Sequence, residues 1–271
     1  MRKTAVSGLT LLCVGGLLLS GCSPMAVTGS TDADKSAFGA RKHFAVVSIA
    51  STRTISGEKG ITDLFKDDDA IKGANSQPII DALEPKIIGA LASDKHFALV
   101  PEHAVLASRA YRNIKEDERV IKVLFSSNKL NVAGHYKYIS TPEKFSQLAK
   151  ELNVDGVIGI TMNFSVVSST GGLSINGIGL GKKSYSSVAS ISAVAYDKNG
   201  KVIWKDATVK QAEPGDAKAV VLLDAADFAG TDFEKMHPSA IAMGRKAVDV
   251  LVARLDDTLA GKEVSSMQSM K

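Results

Sequence analysis

Cysteine is almost missing from the 271-residue chain, and both copies, Cys13 and Cys22, fall within its first 22 residues. Nothing after Ser23 can form a disulfide or a cysteine metal site. No basic block is present. The formal charge of +4 falls to +2 without Arg2 and Lys3. Such a balance does not argue for nucleic acid or a strongly anionic partner. The longest apolar stretch, Ala5 to Leu19, is about 15 residues, short of the roughly 20 that span a bilayer. There is no internal repeat, no H-x-x-x-H pair among His43, His96, His103, His135 and His237, and no G-x-S-x-G elbow. The residues nominate no catalytic group, cofactor or metal ligand, and the histidines read as surface or capping residues.

The amino terminus is the most informative part. Arg2 and Lys3 form a positive n-region, the apolar stretch follows, and it closes on Leu19-Ser20-Gly21-Cys22. Small residues before a cleavage point mark a secretory signal. The Leu-Ser-Gly-Cys ending resembles the lipobox of bacterial lipoproteins, in which the cysteine is acylated and becomes the first mature residue. That resemblance implies lipidation at Cys22 and attachment to a membrane through acyl chains, each buried methylene contributing about 0.8 kcal/mol. Ser23, in place of Asp, resembles the outer-membrane sorting pattern of Gram-negative lipoproteins.

Residues 22–42 are small and polar without apolar period, which predicts a flexible linker with an end-to-end distance of roughly 25 Å. A single α/β domain is expected over 43–260, with a disordered tail over 261–271. Phe44–Ala50 reads as a strand buried on both faces. An apolar stripe of Ile79, Ile80, Leu83, Ile87, Ile88 and Leu91 predicts a helix starting near Asn75 or Ser76 and kinked or divided at Pro85. A short strand over 97–100 and helices over about 102–112 and 116–125 come next. Thr141-Pro142-Glu143 starts a helix with Phe145, Leu148, Ala149 and Leu152 inward. Asn153 ends it, and Val154 opens the longest strand. A second long strand over 186–196 turns at Asp197-Lys198-Asn199-Gly200 into a partner over 201–209, where Trp204 is expected to be buried. Val220–Leu223 fits either a strand or a helix start. Pro238 opens a last helix to about Leu259, with Ile241, Ala242, Ala247 or Val248, Leu251 and Leu255 inward.

Two stretches invite chemical readings. Asp67-Asp68-Asp69 lacks the alternation and glycine of a calcium loop and reads as a solvated loop. Gly177-Ile178-Gly179-Leu180-Gly181-Lys182-Lys183 lacks the Ser or Thr of a phosphate loop and joins two strands, so no helix N-terminus meets an anion. The glycine- and serine-rich segment 167–185 carries Leu173, Ile175, Ile178 and Leu180. These either contact a partner, ordering on binding, or fold back onto the domain.

The stretch from Leu148 to Ile158, LAKELNVDGVI, resembles a junction common in envelope lipoproteins of the CsgG-like, LpoB-like and TolB amino-terminal group. Asp197 to Trp204, DKNGKVIW, resembles their hairpin. Pattern and resemblance together imply an α/β (α+β) sandwich: a mixed sheet with long antiparallel hairpins and amphipathic helices packed on one side. The resemblance implies a non-enzymatic binding or assembly module of an envelope complex at the periplasmic face of the outer membrane, with envelope-protein partners and self-association as options. A subunit of an oligomeric secretion channel is the alternative.

Overall fold

From Phe44 to Ser51 every residue is buried, the pattern of a strand covered on both faces. The computed structural model describes residues 32–57, 74–123, 126–169, 183–211, 220–223, 232–262 and 264. Their strands are β1 (Asp32–Ala33), β2 (His43–Thr52), β3 (Thr54–Gly57), β4 (Ala74–Asn75), β5 (Ala98–Leu99), β6 (Val120–Val123), β7 (Ser126–Val132), β8 (Gly156–Ser169), β9 (Lys183–Asp197), β10 (Val202–Gln211) and β11 (Val220–Leu223). Their helices are α1 (Gln77–Ala92), α2 (Glu102–Ala107), α3 (Arg109–Asn113), α4 (Pro142–Glu151) and α5 (His237–Leu259).

The architecture is a mixed sheet ordered β1-β10-β9-β8-β2-β7-β6, with helices packed against it. β8 runs parallel to β2 and antiparallel to β9, and β9 antiparallel to β10. Ile158, Ile160, Met162, Phe164 and Val166 alternate along β8, all buried, as the sequence period predicts. The Asp197 carboxylate holds the β9–β10 turn, its Oδ1 accepting from the amides of Asn199 (2.8 Å) and Lys201 (2.9 Å). Gly200 there takes φ 79°, a region only glycine enters freely. Trp204 is fully buried on β10.

The two long helices share one face. Arg254 of α5 bonds Asp206 of β10, and Leu83 of α1 packs where α5 carries Gly244. The short α4 departs from the one-sided expectation. Its Phe145 lies over Gly159 and stacks on Tyr196 at 4.8 Å, on the opposite face from Ile160 and Asp206. Crossover handedness explains the split. β5 and β8 flank opposite edges of β2 and both run parallel to it. Right-handed crossovers to opposite edges leave their helices, α1 and α4, on opposite faces.

Other expectations need correction. The described residues 116–123 contain no helix: β6 and β7 form a hairpin, and β7 continues the sheet by pairing with β2 at Ala50–Thr52. Val120, Ile121, Leu124 and Phe125 have helical spacing, but β-branched Val120, Ile121 and Val123 suit a strand once an edge is available. The helix over 102–112 is two helices, interrupted at Ser108, whose ψ is 148° and whose hydroxyl caps Tyr111 N at 3.0 Å. α1 passes through Pro85 undivided. The buried seam of α5 is Ala240, Met243, Gly244, Ala247, Val248, Leu251 and Leu255, while Ile241 and Ala242 are half-buried. Residues 32–42, expected as part of a linker, are docked on the domain. β1 pairs with Lys205 and Trp204, Asp34 N donates to Ile203 O (2.9 Å), and Phe38 stacks on Phe44 at 5.0 Å. Among the described residues no helix is long and apolar enough to cross a membrane.

Candidate functional site

The residues singled out from sequence, Cys22 for lipidation and Leu173, Ile175, Ile178 and Leu180 for partner contact, lie outside the described residues, as does Asp67–Asp69. The strands that frame residues 170–182 are described. β8 and β9 stay paired to Ser169↔Ser184, and β11 runs beside β9 at the same end. At the other end of the sheet are Gly156, the Asp197–Gly200 turn, the start of β2 and β5.

That second end brings together a set of side chains that no local pattern announces. α1 stops at Ala92, and the chain turns through Ser93-Asp94-Lys95-His96 before β5. Asp94 Oδ1 accepts from His96 N at 2.6 Å, and His96 O accepts from Gly39 N at 2.7 Å, which ties the turn to the docked amino-terminal segment. Asp256, near the end of α5, places Oδ1 3.0 Å from His96 Nε2. One ligand atom each from Asp94, His96 and Asp256 lies within 4.8 Å of the other two. Asp94 is 9% exposed. Asp94 Oδ2, His96 Nε2 and Asp256 Oδ1 are shut off from solvent, and none makes a hydrogen bond of normal geometry; the close His96–Asp256 approach is an ion-pair distance without the angle. Burial, chiefly, pushes the Asp94 carboxyl up, opposed by the His96 amide bond and reinforced by the charge of Asp256.

A second titratable cluster sits where α1 and α2 meet the segment after β7. Burial raises the Glu84 carboxyl to about 7, with a hydrogen bond and repulsion from Glu102 adding to it. Tyr136, raised by burial and then by Glu102, lies beside that carboxylate, yet its hydroxyl makes no hydrogen bond of good geometry to it. Tyr111 is held firmly. Its hydroxyl donates to Val47 O (3.0 Å) and accepts from Lys137 N (2.6 Å).

A shallow groove is bordered by Asp34, Lys42, Asp155, Lys198, Lys201 and Ile203. Its charges are already matched, Lys42 to Asp155 at 3.1 Å and Lys201 to Asp34 at 2.5 Å. A ligand would have to displace those pairs, and exposed pairs of this kind contribute little on their own.

His43, His103 and His135 are exposed, as the sequence reading expects, whereas His96 and His237 are half-buried. His96 faces two carboxylates, one of them 160 positions away along the chain. Only Asp94-x-His96 was visible locally, and that spacing is common in turns.

No family model matches the chain, and no curated protein does. Among solved structures it is similar to the LpoB C-terminal domain from Salmonella enterica, at 10% sequence identity and a TM-score of 0.28, over 64% of this chain and 85% of that one. A likeness of that degree carries no argument about fold or function.

Proposed function

We propose that the chain is a bacterial envelope lipoprotein, anchored by acylated Cys22 in the outer membrane and facing the periplasm. Its α+β domain acts as a non-enzymatic binding or assembly module of an envelope complex. The observation that carries this reading is the run Arg2-Lys3, apolar core, Leu19-Ser20-Gly21-Cys22, with Ser23 next. The docked segment sharpens it. Ten Cα-to-Cα steps separate Cys22 from Asp32, the first residue seen paired into the sheet. Fully extended they reach at most about 33–36 Å, so the domain works close to the membrane surface. Its partner contact is assigned to Leu173, Ile175, Ile178 and Leu180, in the segment between β8 and β9.

The test is made in cells with the full-length chain, fatty-acid labelling and a photo-crosslinking residue at Ile175 or Ile178. Acylation is expected in the wild type, with a crosslink to another envelope protein. Cys22→Ala should leave an unlabelled precursor. Normal processing of that variant would remove the basis of the proposal. Crosslinks between copies of this chain alone would favour the channel-subunit alternative.

A further inference from the structure

We propose that Asp94, His96 and Asp256 form a binding site for a divalent transition metal of the zinc type, which fastens the turn after α1 to the end of α5. The donor set is one imidazole nitrogen and two carboxylate oxygens, all within 4.8 Å of one another. Zinc–ligand bonds of about 2.0–2.2 Å in a tetrahedron put ligand atoms roughly 3.3–3.6 Å apart. The 3.0 Å between His96 Nε2 and Asp256 Oδ1 is close to that spacing before any ion is added. Three protein ligands leave one position for water, as in open zinc sites. The nitrogen donor separates this site from those for magnesium and calcium, which take oxygen ligands and more of them.

An independent observation points the same way. Asp94 is more than nine-tenths buried, and its Oδ2 has no hydrogen-bond partner. A buried carboxylate oxygen without a donor is costly. Two further atoms of the same cluster, His96 Nε2 and Asp256 Oδ1, are buried without a hydrogen bond, with only each other at 3.0 Å. A cation bound among the three would satisfy all of them at once. One ligand is also held from outside the cluster: His96 O accepts from Gly39 N, the kind of support that orients metal ligands. Within the cluster, Asp94 Oδ1 accepts from His96 N. The competing arrangement is a protonated His96 lying between two carboxylates with no metal.

The two arrangements separate experimentally. The full-length chain in detergent is stripped with a chelator and titrated with Zn2+ by calorimetry, and its thermal unfolding is followed with and without the ion. One zinc per chain is expected to bind saturably and raise the melting temperature, because binding to the folded state alone stabilises it. Mg2+ at the same concentration should give no shift. His96→Ala and Asp256→Asn should each weaken zinc binding by about tenfold or more and abolish the thermal shift. Asp256→Asn keeps the shape of a half-exposed side chain, so it carries the test if His96→Ala fails to fold. Absence of saturable binding would overturn the proposal, as would equal affinity in wild type and Asp256→Asn, which would place the zinc on other histidines.

Discussion

Glu84 is a carboxyl whose surroundings disfavour its charge. Burial comes first, then Glu102 opposite it, and the result is a rise from 4.5 to about 7. The folded protein therefore holds a proton that the unfolded chain releases between those values. The associated stability is fully present below about pH 4.5 and is lost as the pH rises through about 7. Asp94 is shifted in the same direction, so wild type alone would not isolate Glu84. Comparison with Glu84→Gln does. Across that window the melting temperature of wild type is expected to fall further than that of the variant, read by circular dichroism at closely spaced pH. Parallel curves would mean that Glu84 stays charged throughout. Nothing in the sequence marks Glu84, since its partner arrives from another helix.

At the scale of elements, the α1–α5 crossing depends on a missing side chain. A Cβ on Gly244 would overlap Leu83 Cδ1, whereas a Cβ on Gly89 of α1 would meet nothing within 4 Å. Glycine inside a helix costs roughly 0.5–1 kcal/mol against alanine. Gly89→Ala is therefore expected to stabilise by about that amount. Gly244→Ala should destabilise by about 1–3 kcal/mol, because overpacking outweighs the helix gain. Denaturant unfolding of the two variants checks the opposite signs. The same crossing explains why the α5 seam sits off the predicted stripe. Close approach at Gly244 centres burial on Ala240, Gly244, Ala247 and Leu251 and turns Ile241 and Ala242 partly outward. Period alone locates a helix but leaves its rotation to the partner it meets.

For the molecule as a whole, the boundary of the folded unit differs from the composition boundary. Residues 32–42 have a linker's composition, yet they add a strand at Lys205 and Trp204 and set Phe38 against Phe44 and Phe97. Deleting 23–31 should leave the melting temperature unchanged. Deleting 32–42 as well should lower it by several degrees, at about 2–4 °C for each kcal/mol lost in a domain of this size. Differential scanning calorimetry of the two truncations decides the matter, and equal melting temperatures would return the segment to the role of a linker.

The sequence by itself determined the elements whose signal is local. A mostly apolar run made β2, alternation made β8, Thr141-Pro142 and Asn153 bounded α4, and Asp197 with Gly200 made the turn beside Trp204. The mixed α+β architecture followed from their order together with the family resemblance. Tertiary structure decided what depends on a distant neighbour. An open edge of β2 took up β7, and β7 took up β6, where 116–125 read as a helix. Opposite crossovers divided α1 from α4, and an aromatic cluster drew in residues 32–42. Asp94, His96 and Asp256 meet only because β5 pairs with the start of β2 beneath the end of α5. Local patterns report which conformation a segment favours, whereas a site made across 160 positions exists only once packing has closed the loops between them.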